Sequence, residues 1–133
     1  MAISMETLTG ENALHISIAA RLDQAGVVWC HVPNGEKRDK RTAGKLKKMG
    51  VKPGVPDILI FTEPRCAIEL KDGRRGRLSD AQKVWRKNLE ENGWLWYECR
   101  TVSEVETVFE KVYRCRLPSK KKTLNLTPRV KPF

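Results

Sequence analysis

The 133-residue sequence predicts a single α/β domain with a central mixed sheet of about four strands. Three observations carry that expectation. Short β-prone runs alternate with helical patterns in the order helix, strand, basic segment, strand, strand, helix, strand, helix. Two capping boxes mark where helices should begin. The composition is 40% hydrophobic and 32% charged, which suits one modest core, and no run approaches the ~18 apolar residues of a membrane span.

The elements follow in order. From Glu11 to Ala25, Leu14, Ile16, Ile18, Ala19 and Leu22 recur mostly at three- and four-residue intervals, an amphipathic helix that Gly26 ends. Val27 to Val32 is β-prone and stops at the turn Pro33-Asn34-Gly35. Glu36 to Met49 is basic with sparse apolar positions, consistent with a solvated helix or an ordered loop. After the breakers Gly50 to Pro56, strands Asp57–Phe61 and Arg65–Lys71 flank Thr62-Glu63-Pro64 and form a hairpin by spacing. Ser79-Asp80-Ala81-Gln82 is a capping box that opens a helix to about Asn92, stopped by Gly93. Trp94 to Cys99 is a fourth strand, and Ser103-Glu104-Val105-Glu106 reads as a second capping box for a helix to about Arg114. The organisation expected is an N-terminal segment 1–10, a domain 11–115 and a basic, flexible tail 116–133.

Charge narrows the partners. Lys and Arg number 26 against 16 Asp and Glu, a net +10. A domain this basic meets a polyanion, nucleic acid or an acidic membrane. The charge is uneven: residues 114–133 carry +7 and Glu36 to Lys52 a local +6, leaving a nearly neutral core between two basic patches. The N-terminus lacks the basic head and apolar stretch of a signal peptide, which predicts a cytoplasmic protein. The cysteines Cys30, Cys66, Cys99 and Cys115 form no C-x-x-C pair and are expected to be buried, reduced thiols. No G-x-G-x-x-G occurs, and Gly44-Lys45 precedes Leu46 rather than Ser or Thr, so the sequence does not support a nucleotide-binding phosphate loop.

Chemistry concentrates on the hairpin. Alternation places Ala67, Glu69 and Lys71 on one strand face, and the partner strand brings Asp57 to the end of that face if the register cooperates. Two carboxylates beside a lysine suit a hard divalent cation, with an ammonium left for a water or phosphate. From the spacing alone, the commoner reading is that Asp57 ends a turn while Glu69 and Lys71 are an exposed charged pair on a sheet edge. The very apolar neighbours weigh against that, because a charge there needs a partner or an ion.

Pro56-Asp57, eleven residues, then Glu69-Leu70-Lys71 resembles the PD-(D/E)xK nuclease superfamily. The linked segments His31 to Gly35, Lys45 to Asp57, Ile68 to Lys71 and Leu78 to Gln82 resemble its VRR-NUC (virus-type replication-repair nuclease) branch in order and spacing, over roughly residues 11–110. The resemblance implies a restriction-endonuclease-like core. It also implies that Asp57, Glu69 and the Leu70 carbonyl bind Mg²⁺, with Mn²⁺ as a substitute, while Lys71 orients or activates the attacking water. Glu11 matches an acidic residue of the family's first helix, with Glu6 as the fallback, although His15 stands where the family glutamine is expected. Gln82 matches a glutamine that supports the site, alongside its capping role. His31 and Asn34 are implied near the substrate. Lys37, Arg38, Lys45, Lys47 and Lys48, with Arg74, Arg75 and Arg77, form the group expected to hold the nucleic-acid backbone.

The activity implied is structure-selective DNA cleavage, resembling a Holliday-junction resolvase in replication, recombination or repair. The expected setting is a bacterial or phage-infected cell, with branched DNA rather than a membrane as partner and a homodimer as the working form. The rival from another class is a non-catalytic, basic nucleic-acid-binding module, against which intact Asp57, Glu69 and Lys71 argue. An RNA substrate stays open, since nothing in the sequence marks a reader of the 2′-hydroxyl. His31 and Asn34 also occur in HNH nucleases, but a ββα metal finger needs further histidines and only His15 remains.

Overall fold

Local patterns in the chain set the elements that the computed structural model shows. It describes residues 10–33, 39–71 and 77–118, with side chains from residue 12 onward. Among the described residues, four helices and four strands follow in the order α1 (Gly10–Ala25), β1 (Trp29–His31), α2 (Lys40–Lys48), β2 (Ile58–Ile60), β3 (Cys66–Leu70), α3 (Asp80–Glu91), β4 (Leu95–Cys99) and α4 (Val102–Tyr113). The strands form one sheet in the order β1-β2-β3-β4. β1 with β2 and β2 with β3 are antiparallel, whereas β3 and β4 are parallel, so α3 serves as their crossover.

Alternation along the strands divides the core into two. Ile58 and Ile60 of β2 and Cys66, Ile68 and Leu70 of β3 face Ile18 and Leu22 of α1 and Val105 and Phe109 of α4. Ala67 faces the other way, toward Leu89 of α3 and Trp96, with Leu59, Leu78, Trp85 and Trp94 packed around them. The result is α/β/α layering, with every residue of β3 buried. Burying each large aliphatic side chain contributes about 1.5–3 kcal/mol, so the paired β2 and β3 and the helices over them carry much of the stability. Leu117, beyond α4, also enters the larger core.

α3 begins as its sequence signal implies. The Ser79 hydroxyl accepts from Gln82 N, and the Gln82 side chain accepts from Ser79 N. At α4 the cap differs from the expectation at Ser103. Thr101 is the N-cap: its extended backbone (φ −137°) lets its hydroxyl accept from Glu104 N at 3.1 Å, while Ser103 lies within the helix. The basic segment contains helix α2, capped by Asp39, and none of its residues is buried. The thiols also depart in part from the expectation. Cys66 and Cys99 are buried in the sheet, but Cys30 lies on the edge strand β1 and Cys115 follows the end of α4, and both are exposed. No helix among the described residues is long and apolar enough to cross a membrane.

Candidate active site

The β2–β3 register brings the hairpin's acids together. Ile58 pairs with Ile68, and continuing that antiparallel register by one step sets Asp57 opposite Glu69. Asp57 sits just before β2 and fastens to β3: its Oδ2 accepts from Leu70 N at 2.9 Å. Within a strand a residue's N–H and C=O face the same neighbour, so the Leu70 carbonyl also faces the Asp57 side, whereas Lys71 N turns the other way to Cys99 O at 3.0 Å.

β3 is an interior strand, not an edge, and Glu69 is only 3% exposed. A buried carboxylate needs compensation, and Gln82 supplies part of it by donating from Nε2 to Glu69 Oε1 at 3.0 Å. The Gln82 Oε1 accepts from Lys71 Nζ at 3.0 Å and from Ser79 N at 2.8 Å. Two donors at the oxygen and an acceptor at the nitrogen fix the orientation of this amide. Gln82 therefore fills both roles the sequence suggested, closing the capping box and holding Glu69 and Lys71 in one network.

The loop that delivers Asp57 lies directly on the first turn of α3. Gly54 has φ +86°, and a Cβ there would stand 2.4 Å from Ala81 C and 2.7 Å from Gln82 N. Only glycine permits this approach together with that backbone conformation. Pro56, fully buried, then leads into Asp57.

Two histidines reach the same end of the sheet. His31 on β1 holds its Nδ1 2.7 Å from Asp57 O. His15 on α1 meets the His31 ring edge-on, with centroids 4.0 Å apart and planes at 77°. One ligand-capable atom from each of His15, His31 and Asp57 lies within 4.8 Å of the others. Burial and the neighbouring His31 hold the His15 imidazole below its ordinary range, with Asp57 pulling the other way.

The structure thus draws together Asp57, Glu69, Leu70, Lys71, Gln82 and His31. Glu11 lies in α1 four residues before His15, and its side chain is outside the described residues. Asn34, Lys37, Arg38, Arg74 and Arg75 also lie outside them, as do Glu6 and residues 119–133. Lys45, Lys47 and Lys48 are exposed on α2, and Arg77 is exposed ahead of α3. In the sequence His15 stands out only as a residue in place of the expected family glutamine. Its spacing one turn after Glu11, with a second histidine ahead of a Pro-Asn-Gly turn, was the available signal.

The oxygen donors suit a divalent cation. Two opposed carboxylates, one almost fully buried, beside a backbone carbonyl form a hard donor set of the kind Mg²⁺ and Mn²⁺ prefer.

Fold and family together define an α/β nuclease domain. The model of the VRR-NUC domain matches residues 9–103, and the chain belongs to that family. A solved structure described as a VRR_NUC domain protein shares the fold, with a TM-score of 0.64 at 20% identity over 84% of this chain and 92% of the other. No curated protein matches the sequence.

Proposed function

We propose that the protein hydrolyses DNA phosphodiesters in a metal-dependent, structure-selective reaction, as a homodimer resembling a Holliday-junction resolvase. The observation that carries this reading is the network in which Gln82 holds the buried Glu69 carboxylate and the Lys71 ammonium at the end of the strand pair that presents Asp57.

Asp57, Glu69 and the Leu70 carbonyl hold the cation, for which Mg²⁺ is the first choice and Mn²⁺ a substitute. When bound, it lowers the pKa of water and offsets charge on the phosphoryl oxygens. Asp57 is kept in place by the Leu70 N–H, so its carboxylate needs little reorganisation to bind. Lys71, held by Gln82, presents its ammonium to the attacking water or the scissile phosphate. Glu11, one turn before His15, supplies a further carboxylate from α1. Lys45, Lys47 and Lys48 on α2, with Arg77, contact the sugar-phosphate backbone without reading bases, and Lys37, Arg38, Arg74 and Arg75 add positive charge for the same partner. Two-fold symmetry then gives paired cuts on opposed strands.

The test is cleavage of a labelled four-way junction beside linear duplex, single strand and matched RNA, with Mg²⁺, Mn²⁺ or EDTA, using wild type and Lys71→Ala. Paired, metal-dependent nicks on the junction that vanish with Lys71→Ala support the reading. Tight, salt-sensitive binding with no cutting in either metal overturns it in favour of a binding module.

A further inference from the structure

The proposed reaction leaves two imidazoles without a task. His15 comes from α1 and His31 from β1, the next element, and both rings converge on Asp57, which the chain reaches only after α2. They are the only histidines in the chain.

The hydrogen bond at His31 determines which ring nitrogen is available. A carbonyl oxygen can only accept, so the 2.7 Å contact with Asp57 O requires the proton on His31 Nδ1. In the neutral ring the lone pair is then on Nε2. An imidazole whose other nitrogen donates to a backbone carbonyl is the arrangement that prepares histidine as a metal ligand. Asp57 is also oriented in advance, because Oδ2 accepts from Leu70 N and Oδ1 lies outside that bond.

The spacing fits an ion. One ligand-capable atom from each residue lies within 4.8 Å of the others, and ligands around a tetrahedral ion at ~2.1 Å are about 3.4 Å apart, so closing on an ion needs inward shifts of up to about 0.8 Å for each group. Two imidazoles and one carboxylate form a nitrogen-rich set. Such a set favours ions of the Zn²⁺ and Co²⁺ class over Mg²⁺, which prefers oxygen and keeps its waters.

We propose that His15, His31 and Asp57 form a transition-metal subsite for an ion of the Zn²⁺ and Co²⁺ class, sharing Asp57 with the oxygen donors Glu69 and Leu70. The subsite requires only the fold and these three side chains, so it stands or falls independently of DNA cleavage.

The test uses the full chain, free of any affinity tag and stripped of metal by chelation, titrated with Co²⁺ alone. Because the chain has two histidines, imidazole proton resonances report the site directly. One equivalent of Co²⁺ should displace both imidazole signals far outside their normal range, and millimolar Mg²⁺ should not restore them. His15→Gln and His31→Gln should each weaken Co²⁺ binding tenfold or more, read by visible absorption, whereas Glu69→Gln should retain it. The proposal is overturned if only one or neither signal moves, if Mg²⁺ displaces the ion, or if Glu69→Gln abolishes binding. The wild-type spectrum decides even where a histidine variant fails to fold. Junction cleavage in Mg²⁺ with unmoved histidine signals would sink this subsite alone; shifted signals without cleavage of any substrate would sink the nuclease reading alone.

Discussion

The Lys71 ammonium donates to the Gln82 side-chain oxygen at 3.0 Å, so the lysine of the hairpin is positioned by the first turn of a helix and not by a carboxylate. The same amide donates to Glu69, and this double duty requires a glutamine. Glutamate at 82 could still accept from Ser79 and Lys71, but it would set a second negative charge against Glu69. Gln82→Glu is expected to lower kcat for junction cleavage tenfold or more while leaving KM for DNA nearly unchanged. Gln82→Ala should also lower kcat and, through the lost cap, cost up to ~1 kcal/mol of stability. Steady-state kinetics and urea melts check both.

Gly54 and Gly44 predict opposite outcomes for the same substitution. At 54, the positive φ and the 2.4 Å approach to Ala81 make alanine costly, about 2–4 kcal/mol, and displacing the α3 turn should carry Gln82 with it. Gly44 sits within α2 with nothing within 4 Å of an added Cβ, so Gly44→Ala should stabilise by up to about 1 kcal/mol. Chemical denaturation of the two variants against wild type tests the contrast.

Burial pushes the Cys66 and Cys99 thiols up to about 12, whereas Cys30 and Cys115 are exposed. Two equivalents of a thiol reagent should react with the native protein and four after denaturation. The sign of the pH effect follows. In the unfolded chain these thiols ionise near pH 9, while in the folded chain they stay protonated until about 12. Their contribution to stability is therefore intact below pH 9 and is lost progressively as pH rises toward 12. Burial also raises the Tyr113 hydroxyl, which adds to the same alkaline trend. Urea midpoints measured from pH 8 upward should fall.

Removing divalent cations should stop cleavage, and restoring Mg²⁺ should recover it. Independently of activity, Mg²⁺ at a hundredfold excess over its Kd should raise Tm by ~10 °C, because an ion that binds only the folded state stabilises it by mass action. Asp57→Asn, which removes one of the opposed carboxylates, should abolish that shift in a thermal melt.

Much of this was legible in local sequence. The hairpin, the crossover helix and the Asp57, Glu69 and Lys71 set are written as alternation and spacing over short stretches, and Ser79 with Gln82 states its own cap. What the sequence left unread depends on packing between elements, not on pattern within one. That His15 meets His31 follows from how α1 lies against β1, and that Gly54 touches Ala81 follows from how a loop crosses a helix start. The α4 cap lies two residues before the expected Ser103 because Thr101 and Ser103 offer the same hydroxyl, and backbone conformation selects between them. Cys30 occupies a strand as expected, but an edge strand leaves it uncovered.

The reciprocal bonds between Ser79 and Gln82 have a consequence for how the protein loses activity. Helix ends fray before helices melt, and here the end that frays holds the amide gripping Glu69 and Lys71. Opening one turn of α3, with the sheet intact, releases both side chains. Warming should therefore silence the enzyme below its global unfolding temperature, and amide exchange at Gln82 should track that loss more closely than exchange in β3.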